Sequence, residues 1–543
     1  MRTVETPILI VGGGPVGLAL ALDLSWRGVE STLVERSDGT VQNPKTGHIS
    51  IRSMEFFRRW GIVDRIRNCG FPDDYELSMV FCTSMTGHPL AKHYYPPMKD
   101  DPQLPVTPER KQRAPQMYSD PIIAAAVRER DDVTVRYNTE FLDFEQDDDK
   151  VVARVRDLKT GEEYRIVSRF LAACDGAASP IRKSMGIDMK GDATLNHSLA
   201  IHIRAKDLLS HHDKGQAERY IFIGPEGTWG NLTVVDGKEL WRLTVMGSQE
   251  RIAAAEADAA SWMKRCFGRD DIPYEIRLAA PWRRSRLVAD RYTDGRGRVF
   301  LVGDSAHTMS PTGGFGMNTG IADAADIGWK LEAAVRGWAG PGLLASYEHE
   351  RKPIGWRNVN AAADNFHAMR SATECADILD DTPAGAATRV RVGEQVKLAT
   401  QKEWDSYGVV LGYRYEGSPV IVPDGTPEPE DHPSNYQPTS RPGHRAPHAW
   451  VQGGPDHTGQ SILDLFGKGF TLLRFDSSVD PAPMLSAAKA RGVPMTLLDI
   501  ARPEIAKLYE KKLVLVRPDG HSAWRGDAMP ADAMRVIDTV RGA

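Results

Sequence analysis

The sequence contains few cysteines, and their spacing excludes several kinds of redox and metal site. Five occur among 543 residues, at widely separated positions: Cys69, Cys82, Cys174, Cys266 and Cys375. An odd number without any CxxC pair matches neither a disulfide-stabilised secreted domain, nor a dithiol redox site, nor a structural zinc site. We therefore expect reduced thiols, a cytoplasmic location and no bound metal.

Long apolar runs and blocks of one charge are also missing. The apolar stretch 8–24 is interrupted by glycines, a proline and Asp23, so it is a poor membrane span. A strand-like segment that starts at Pro7 leaves no room for a cleavable signal peptide. The 68 basic and 73 acidic residues are mixed along the chain and give a net charge of −5. This pattern favours neither nucleic acid nor a membrane as partner.

The chain has the length of two or three domains, and its first third alternates strand-like and helix-like segments. With 41% hydrophobic and 26% charged residues, the composition is that of a globular protein. The alternation is typical of a parallel sheet with crossover helices. It predicts strands at residues 8–11, 32–35, 170–174 and 299–302, and helices at 16–27 and 321–338.

Two later regions have a different pattern. Side-chain type alternates with period two at 219–223, 232–235 and 240–245, which predicts an antiparallel sheet with one face free to cover a ligand. A proline-rich linker then precedes a small α/β domain with strands at 470–475, 495–498 and 513–516. We therefore predict a first domain at 1–75, 103–185 and 290–400, a second at 76–102 and 186–289, a linker at 401–447 and a C-terminal domain at 448–543.

A glycine-rich turn joins the first predicted strand to the first helix and consists of Gly12, Gly14, Pro15, Val16 and Gly17. Such a turn lets the backbone approach a pyrophosphate, which the positive end of the helix stabilises. Glu35, followed by Arg36, ends the next strand and can accept hydrogen bonds from a ribose. Because a carboxylate disfavours a 2′-phosphate, the predicted dinucleotide is FAD or NAD. The alternative is a turn that serves packing only.

Two further motifs follow predicted strands. Gly303 and Asp304 place a carboxylate where hydroxyl groups of a cofactor would lie, and a glycine-rich turn then leads into a helix whose dipole would stabilise a reduced flavin. That turn contains Pro311, Gly313, Gly314, Gly316, Met317 and Asn318. Asp175 with Gly176 ends another strand, although alone it would be an ordinary turn. We interpret His307 as a structural hydrogen-bonding group within its loop.

In this order the three motifs resemble the signatures of the single-component aromatic hydroxylases, the group A flavoprotein monooxygenases. Residues 52–61, with Pro44 and Lys45, resemble the family's segment beside the flavin, and Gln116 resembles its flavin-contacting glutamine. Residues 441–443, 446–448 and 516–526 resemble the thioredoxin-like domain of the phenol-hydroxylase branch. Within that branch the sequence is most similar to chlorophenol hydroxylases and to the rebeccamycin-pathway monooxygenase.

The resemblance implies an α/β protein with a Rossmann-like FAD domain, an antiparallel-sheet substrate domain and a thioredoxin-like C-terminal domain. It implies hydroxylation of a hydroxylated aromatic compound with FAD, NADH or NADPH, and O2, through a flavin C4a-hydroperoxide, in a monomer or homodimer. Pro311 and Gly313 would line the C4a side. The implied cofactor contacts are Gly12, Gly14, Pro15, Val16, Gly17, Glu35, Arg36, Lys45, Arg52, Gln116, Asp175, Gly303, Asp304, Pro311, Gly314, Gly316, Met317 and Asn318.

Substrate is expected between the flavin and the antiparallel sheet. The candidate lining residues are Tyr220, Phe222, Trp229, Asn231, Trp241 and Arg242, although alternation alone cannot say which face points inward. The sequence departs from the family's pattern at Lys45, which replaces an arginine, and at Gly47, where simple phenol hydroxylases often carry an aspartate. His48, beside it, could act as the base instead.

The cofactor motifs leave other reactions open. Baeyer–Villiger insertion, epoxidation and oxidative decarboxylation would use the same motifs, and a non-catalytic flavin-binding protein is a further alternative. A flavin halogenase is disfavoured because the sequence has no WxWxxP stretch.

Overall fold

The computed structural model describes residues 2–41, 47–454 and 459–543. Its first sheet is built on parallel strands and extended by two antiparallel ones. The parallel strands, in spatial order, are Val133–Arg136, Ser31–Val34, Thr3–Val11, Glu163–Ala173 and Val299–Leu301. The antiparallel strands are Val151–Asp157 and Thr139–Gln146. This is the predicted Rossmann-like sheet, so the sequence-based fold class is confirmed.

Helices cover this sheet and explain why its strands read as continuous apolar segments. Ile8, Leu9 and Ile10 of the first strand are completely buried. Pro15–Arg27 packs against the long helix Phe315–Arg336, which ends before the predicted residue 338 because Gly337 adopts a left-handed conformation. The other helices of this part are Ile51–Arg59, Val63–Arg67, Gln116–Arg128, Pro180–Ser184 and Ser346–Met369.

The second sheet has eight strands and is antiparallel except for one parallel pair, Arg219–Gly224 with Met79–Cys82. Its spatial order is His307–Thr308, Glu275–Ala289, Met189–Arg204, Leu240–Gly247, Gly227–Val234, Arg219–Gly224, Met79–Cys82 and Pro89–His93. The two longest strands, Met189–Arg204 and Glu275–Ala289, were not predicted, because both have exposed, polar stretches without clear alternation. A two-residue pairing of His48–Ile49 with Gln112–Arg113 lies beside this sheet.

The two faces of the second sheet have different neighbours. One face packs in an apolar core that includes the helices Gln249–Ala257 and Ala259–Phe267. Part of the other face packs against Pro383–Trp404, which covers the edge strand Pro89–His93. That helix continues past residue 400, and Tyr407–Leu411 is also helical, so the first part of the expected linker is structured.

The C-terminal region forms the small α/β domain that the resemblance implies. Its sheet has the order Met495–Asp499, Phe470–Arg474, Leu513–Val516 and Ser522–Gly526, with one parallel and two antiparallel pairings. Its helices are Ala482–Ala490, Pro503–Tyr509 and Ala533–Val540, and Trp450–Gln452 pairs with Gln460–Ser461. Single 3-10 turns occur in the chain at Met98–Asp100, Leu208–His211, Gly303–Ser305 and Ile462–Leu465.

Buried ion pairs hold the C-terminal domain against the first domain. The Arg517 guanidinium bonds to Glu350 and Asp326, which lie on two helices of the first domain, and Lys330 bonds to both carboxylates. Arg445 pairs with Glu55 in a second buried contact. Because a buried charge is costly unless it is paired, these contacts specify how the two domains fit together.

All five cysteines are free thiols. Across the ranges that the structure describes, no helix combines the length and the apolarity that a bilayer crossing demands.

Candidate functional site

The glycine-rich turn has the geometry of a dinucleotide-binding turn. Gly12 has a φ of 110°, and a Cβ there would lie 2.2 Å from the Cys174 carbonyl oxygen. A Cβ at Gly17 would lie 2.0 Å from the Gly12 oxygen, so both glycines permit close backbone packing rather than contact with a ligand. At Gly14, by contrast, an added Cβ would meet no atom within 4 Å, and this residue faces open space.

Glu35 stands beside this turn, as predicted. Its carboxylate accepts the Gly13 N–H at 2.7 Å and the Ser37 N–H at 2.8 Å. A carboxylate has about four acceptor positions, so it can still accept hydrogen bonds from ribose hydroxyls. Arg36 is exposed and lies outside the central cavity described below. Lys45 lies outside the described residues.

The motifs Asp175–Gly176 and Gly303–Asp304 lie at the same edge of the first sheet, because the strands that precede them are parallel and adjacent. Asp175 accepts the Ser179 hydroxyl at 2.8 Å and the Ile181 N–H at 3.2 Å through Oδ2. Its Oδ1 is buried and lacks a hydrogen-bond partner within the described residues, and burial raises the pKa of this carboxyl. Asp304 is exposed at the end of the neighbouring strand. Gly303, with a φ of 68°, forms the turn before it.

A cavity of about 710 Å³ connects this edge to the second sheet. It is large enough to hold both a flavin ring and a substrate. The predicted residues that line it are Gly14, Pro15, Val16, His48, Gln116, Asn231, Arg242, Asp304, Pro311, Gly313, Gly314, Gly316 and Met317. The open space at Gly14, the orphaned Asp175 oxygen and the carboxylates at the strand ends fit an FAD molecule that extends from the turn into this cavity.

Asn318 ties the glycine-rich loop 311–316 to the segment around His48. Its Oδ1 accepts the Ser50 N–H at 2.8 Å and the Ser53 hydroxyl at 2.7 Å. Its Nδ2 donates to the carbonyl oxygens of His48 at 3.1 Å and Gly314 at 2.7 Å. Asn318 is therefore a loop clamp, and it does not line the cavity.

Glu403 holds the same loop from the opposite side and was missed in the sequence. Its Oε1 accepts the Gly313 N–H at 3.1 Å and lies 3.3 Å from Arg219 Nη1. The side chain is almost fully buried, and burial raises its pKa. One carboxylate oxygen thus joins the helix Pro383–Trp404, the loop and the second sheet.

His48 is half-buried at the cavity wall. Burial, together with the positive charges of Lys111 and Arg113, lowers the pKa of His48 to about 4, although Glu218 acts in the opposite direction. The imidazole is therefore uncharged at neutral pH. Its Cβ and ring pack against Gly314, where an added Cβ would lie 3.2 Å away.

Arg113 explains the glycine at position 47. A Cβ on Gly47 would lie 2.4 Å from Arg113 Nη1, so the guanidinium occupies the space of a side chain there. Arg113 pairs with Glu218 at 3.1 Å and donates to the Val234 carbonyl oxygen at 2.7 Å. Although burial acts to raise it, the charges of Arg113 and Arg219 hold the pKa of Glu218 below its ordinary value. The acid at this wall is therefore Glu218, which directly precedes the strand Arg219–Gly224 of the second sheet.

His307 is fully buried and lies 2.7 Å from an Asp323 oxygen through Nε2. Arg351 Nε donates to the other oxygen of Asp323 at 2.7 Å. We expected this histidine to form a hydrogen bond within its own loop. Its partner Asp323 lies instead on the helix Phe315–Arg336.

Four of the six expected substrate-lining residues lie on the wrong face of the second sheet. Tyr220, Phe222, Trp229 and Trp241 pack in the apolar core beside the helices, and they do not line the cavity. Successive residues of a strand point to opposite faces, so Arg242 lines the cavity and Trp241 does not. Trp229 and Asn231 should share a face, but a bulge between them turns Trp229 away to stack on Phe222 at 5.0 Å.

The expectation for Arg52 is also corrected. Its guanidinium bonds to Glu55 at 2.8 Å, to the Tyr413 hydroxyl at 3.3 Å and to the Asp519 carbonyl oxygen at 3.0 Å. It does not line the cavity. Because its donors are directed at these partners, Arg52 joins the first domain to the C-terminal domain.

Most of the charged cavity lining was missed in the sequence. The missed charged residues are Lys111, Arg113, Glu218, Arg219, Arg283, Arg284 and Glu403. Of the adjacent arginines 283 and 284, only Arg284 is buried, and a buried arginine without an ion pair is unusual enough to indicate a function. Their strand itself was not predicted, so that signal had no structural context.

Comparisons with known proteins agree with this geometry. Residues 5–362 match the family described as FAD binding domain, and residues 439–543 match the family described as aromatic-ring hydroxylase, C-terminal. The FAD-dependent monooxygenase apdD of Emericella nidulans is 30% identical over 98% of this chain and 90% of the relative. The 2,4-dichlorophenol 6-monooxygenase of Delftia acidovorans is 30% identical over 98% of both chains.

Solved structures are similar over the whole chain. The rebeccamycin biosynthetic enzyme RebC with reduced flavin has a TM-score of 0.92 at 40% identity, with 100% of both chains covered. A ternary complex of aklavinone-11 hydroxylase with FAD and aklavinone has a TM-score of 0.83 at 29% identity, again over 100% of both chains.

Proposed function

Because the chain belongs to the family of FAD-dependent aromatic-ring hydroxylases, we propose that it hydroxylates an aromatic compound that already carries a hydroxyl group, with NADH or NADPH and O2 as co-substrates. The observation that carries the proposal is the continuous cavity that runs from the dinucleotide-binding turn to the polar face of the second sheet. FAD, when bound, supplies the redox and oxygen chemistry. The five free cysteines are consistent with a cytoplasmic enzyme.

The residues of the turn and strand ends would hold the cofactor. Gly14, Pro15 and Val16 present the helix N-terminus to the pyrophosphate, and Glu35 accepts hydrogen bonds from the ribose. Asp304 and Gln116 line the cavity on the way to the ring. The start of the helix Phe315–Arg336 would stabilise negative charge on a reduced flavin.

The loop 311–316 would shape the reaction space. Pro311 and Gly313 line the cavity, and Glu403 and Asn318 fix the loop from two sides. A loop held in this way keeps its position while substrate enters and helps to exclude water from the reacting atoms. Gly313 and Gly314 have φ values of 84° and 67°, so a residue with a Cβ at either position would strain the backbone of the loop.

His48 would accept a hydrogen bond from the hydroxyl group of the substrate. With a pKa of about 4, the imidazole is uncharged at neutral pH and has a free acceptor nitrogen. The same low pKa makes complete proton transfer to it unfavourable, so His48 orients and polarises the hydroxyl group. Glu218, whose charge favours protonation of His48, would strengthen this polarisation.

The proposal is tested by NAD(P)H oxidation in the FAD-loaded protein. We expect slow oxidation alone and at least tenfold faster oxidation with a suitable phenol or polycyclic hydroxyarene, together with a hydroxylated product. If no aromatic compound in a broad panel stimulates oxidation, the hydroxylase proposal fails, even though FAD is bound.

A further inference from the structure

We infer that the substrate carries a carboxylate close to its aromatic ring, and that Arg284 is the residue that binds this carboxylate. The inference rests on the proposed function, since it names the chemical class of compound that would occupy the same cavity.

Arg284 is a buried cation at the cavity wall. It lies on the strand Glu275–Ala289 and is 3% exposed. Its Nη1 donates to the Ser310 hydroxyl at 3.3 Å, and its Nε is buried without a hydrogen-bond partner. Within residues 2–41, 47–454 and 459–543, no carboxylate lies within 4 Å of this guanidinium. It is therefore a buried charge without a direct counter-ion.

The surroundings of the Arg284 guanidinium make its positive charge unfavourable in free energy when no ligand is bound. Burial, followed by the positive charges of Arg219 and Arg242, lowers the pKa of Arg284 to about 9. An unpaired buried charge costs stability, and a buried group in a cleft whose pKa is strongly perturbed is a candidate for a functional site. Glu403 favours the charge on Arg284, but its Oε1 is engaged by Gly313 and Arg219.

Aromatic groups fix the guanidinium in place. Its carbon atom lies 4.6 Å from the centre of the Trp282 ring and 4.9 Å from that of Phe366. Trp282 also lines the cavity. A guanidinium held in this way loses little conformational freedom when a ligand binds.

The shape of the guanidinium favours a carboxylate over other groups. Its planar fork of N–H donors matches the two oxygens of a carboxylate, and such pairs are strong because both members are charged. Ser310 precedes Pro311, so an anion bound here would lie next to the loop 311–316. The aromatic ring that bears this carboxylate would then be held close to that loop.

The test compares hydroxynaphthoate with its neutral primary amide, hydroxynaphthamide. Binding of each is measured by flavin absorbance in the FAD-loaded protein without NAD(P)H, so that the result does not depend on turnover. We expect the acid to bind at least tenfold more tightly than the amide. Arg284→Gln should remove this preference, and Arg284→Lys should retain part of it because the charge remains without the fork.

Arg277→Gln is the matched control, because Arg277 is an exposed arginine on the same strand. It should leave the tenfold preference intact. A second measurement separates ligand binding from structural support. Since Arg284 is an uncompensated charge without ligand, Arg284→Gln should leave the Tm unchanged or raise it by a few degrees.

Three results would overturn the inference: equal affinity of the wild type for acid and amide, no binding of either compound, or a preference that survives in Arg284→Gln. An Arg284→Gln protein that keeps the preference but loses NAD(P)H affinity would assign the residue to the phosphates of the co-substrate. Each of these results leaves the proposed hydroxylase function intact, because that function is judged by stimulated NAD(P)H oxidation.

Discussion

The guanidinium of Arg113 fills the space in front of Gly47, and this contact changes the chemistry of the cavity wall. A simple phenol hydroxylase often carries an aspartate at this position, whereas here the nearby acid is Glu218, which pairs with Arg113. The acid therefore lies directly before a strand of the second sheet instead of in the flavin-side segment. A substrate hydroxyl group would meet His48 and the Arg113–Glu218 pair instead of a lone aspartate.

We expect Gly47→Asp to lower both stability and turnover, although it introduces the aspartate that simple phenol hydroxylases often carry at this position. Its side chain would displace Arg113, which we expect to cost about 1–3 kcal/mol of unfolding free energy and to reduce aromatic-stimulated turnover. Gly467→Asp is the control, since a Cβ at Gly467 meets no atom within 4 Å. Unchanged stability and equal or faster turnover in Gly47→Asp would refute the steric explanation.

We expect Asp304 to contribute to FAD affinity and His48 to contribute to hydroxylation. Asp304→Ala should raise the Kd for FAD at least tenfold, because it removes a carboxylate at the cofactor edge of the sheet. His48→Ala should leave the Kd for FAD within about twofold and lower hydroxylation roughly a hundredfold, within the range of hydrogen-bonding acid–base groups. Fluorescence titration of apoprotein with FAD and product assays measure both effects. Equal loss of FAD affinity in the two variants would contradict these assignments.

At the scale of single residues, the sequence predicted what local chemistry determines. Gly14, Glu35 and Asp304 were predicted as cofactor contacts because a strand, a turn and a terminal acid are contiguous in the chain, and the structure has Gly14 and Asp304 at the cavity wall. Arg284 and Glu403 were missed because their roles depend on partners far away in sequence. Arg52 was misassigned because its partner, the Asp519 carbonyl oxygen, belongs to another domain.

At the scale of elements, the strands of the second sheet were easier to predict than the face that each side chain occupies. The strands around residues 220–245 were recognised from their alternation, and the structure has them at Arg219–Gly224, Gly227–Val234 and Leu240–Gly247. The bulge beside Trp229 shifts the pattern by one residue, which moves a side chain to the opposite face. The bulge accounts for Trp229, whereas Tyr220, Phe222 and Trp241 were misplaced because alternation does not say which face of a sheet points inward.

His521 is a buried histidine in the connection between Leu513–Val516 and Ser522–Gly526, and its burial predicts that the free energy of unfolding depends on pH. The His521 ring contacts the Tyr415 ring at a tilt of 41° with ring centres 4.4 Å apart, and burial lowers the pKa of His521 to about 4 although Asp519 acts in the opposite direction. The unfolded state takes up a proton near pH 6.5, whereas the folded state stays neutral down to about pH 4. The stability contribution is therefore complete above pH 6.5 and is lost as the pH falls towards 4.

We expect the wild type to lose about 2 kcal/mol more unfolding free energy than His521→Asn between pH 7.5 and pH 5. The comparison of the two proteins cancels the titration of all other groups. Denaturant unfolding at both pH values measures the difference, and the exposed His349→Asn serves as control. Parallel losses in the wild type and His521→Asn would show that His521 titrates normally in the fold.

At the scale of the whole molecule, ion pairs decide how the C-terminal domain is held. Arg517 reaches Asp326 and Glu350 on two different helices, and its bonds are fully buried. Those helices include the one that begins at the glycine-rich loop of the cavity.

We expect Arg517→Ala to lower the free energy of unfolding by about 3–5 kcal/mol, because it removes the guanidinium that pairs with three buried carboxylates, Asp326, Glu350 and Asp519. Arg491→Ala, which breaks a partly exposed pair with Asp538, should leave the free energy of unfolding nearly unchanged. Thermal and denaturant unfolding compare the two. Similar losses in both variants would mean that the interdomain network does not hold the domain in place.

The central claim is that the FAD-loaded protein inserts an oxygen atom from O2 into an aromatic ring that is bound in the large cavity. The most direct measurement is mass spectrometry of the product formed by FAD-loaded protein, NAD(P)H and isotopically labelled O2 with a stimulating hydroxyarene. The expected result is a product that carries one labelled oxygen atom on the ring. An unchanged ring, or an added oxygen that comes from water, would contradict the claim.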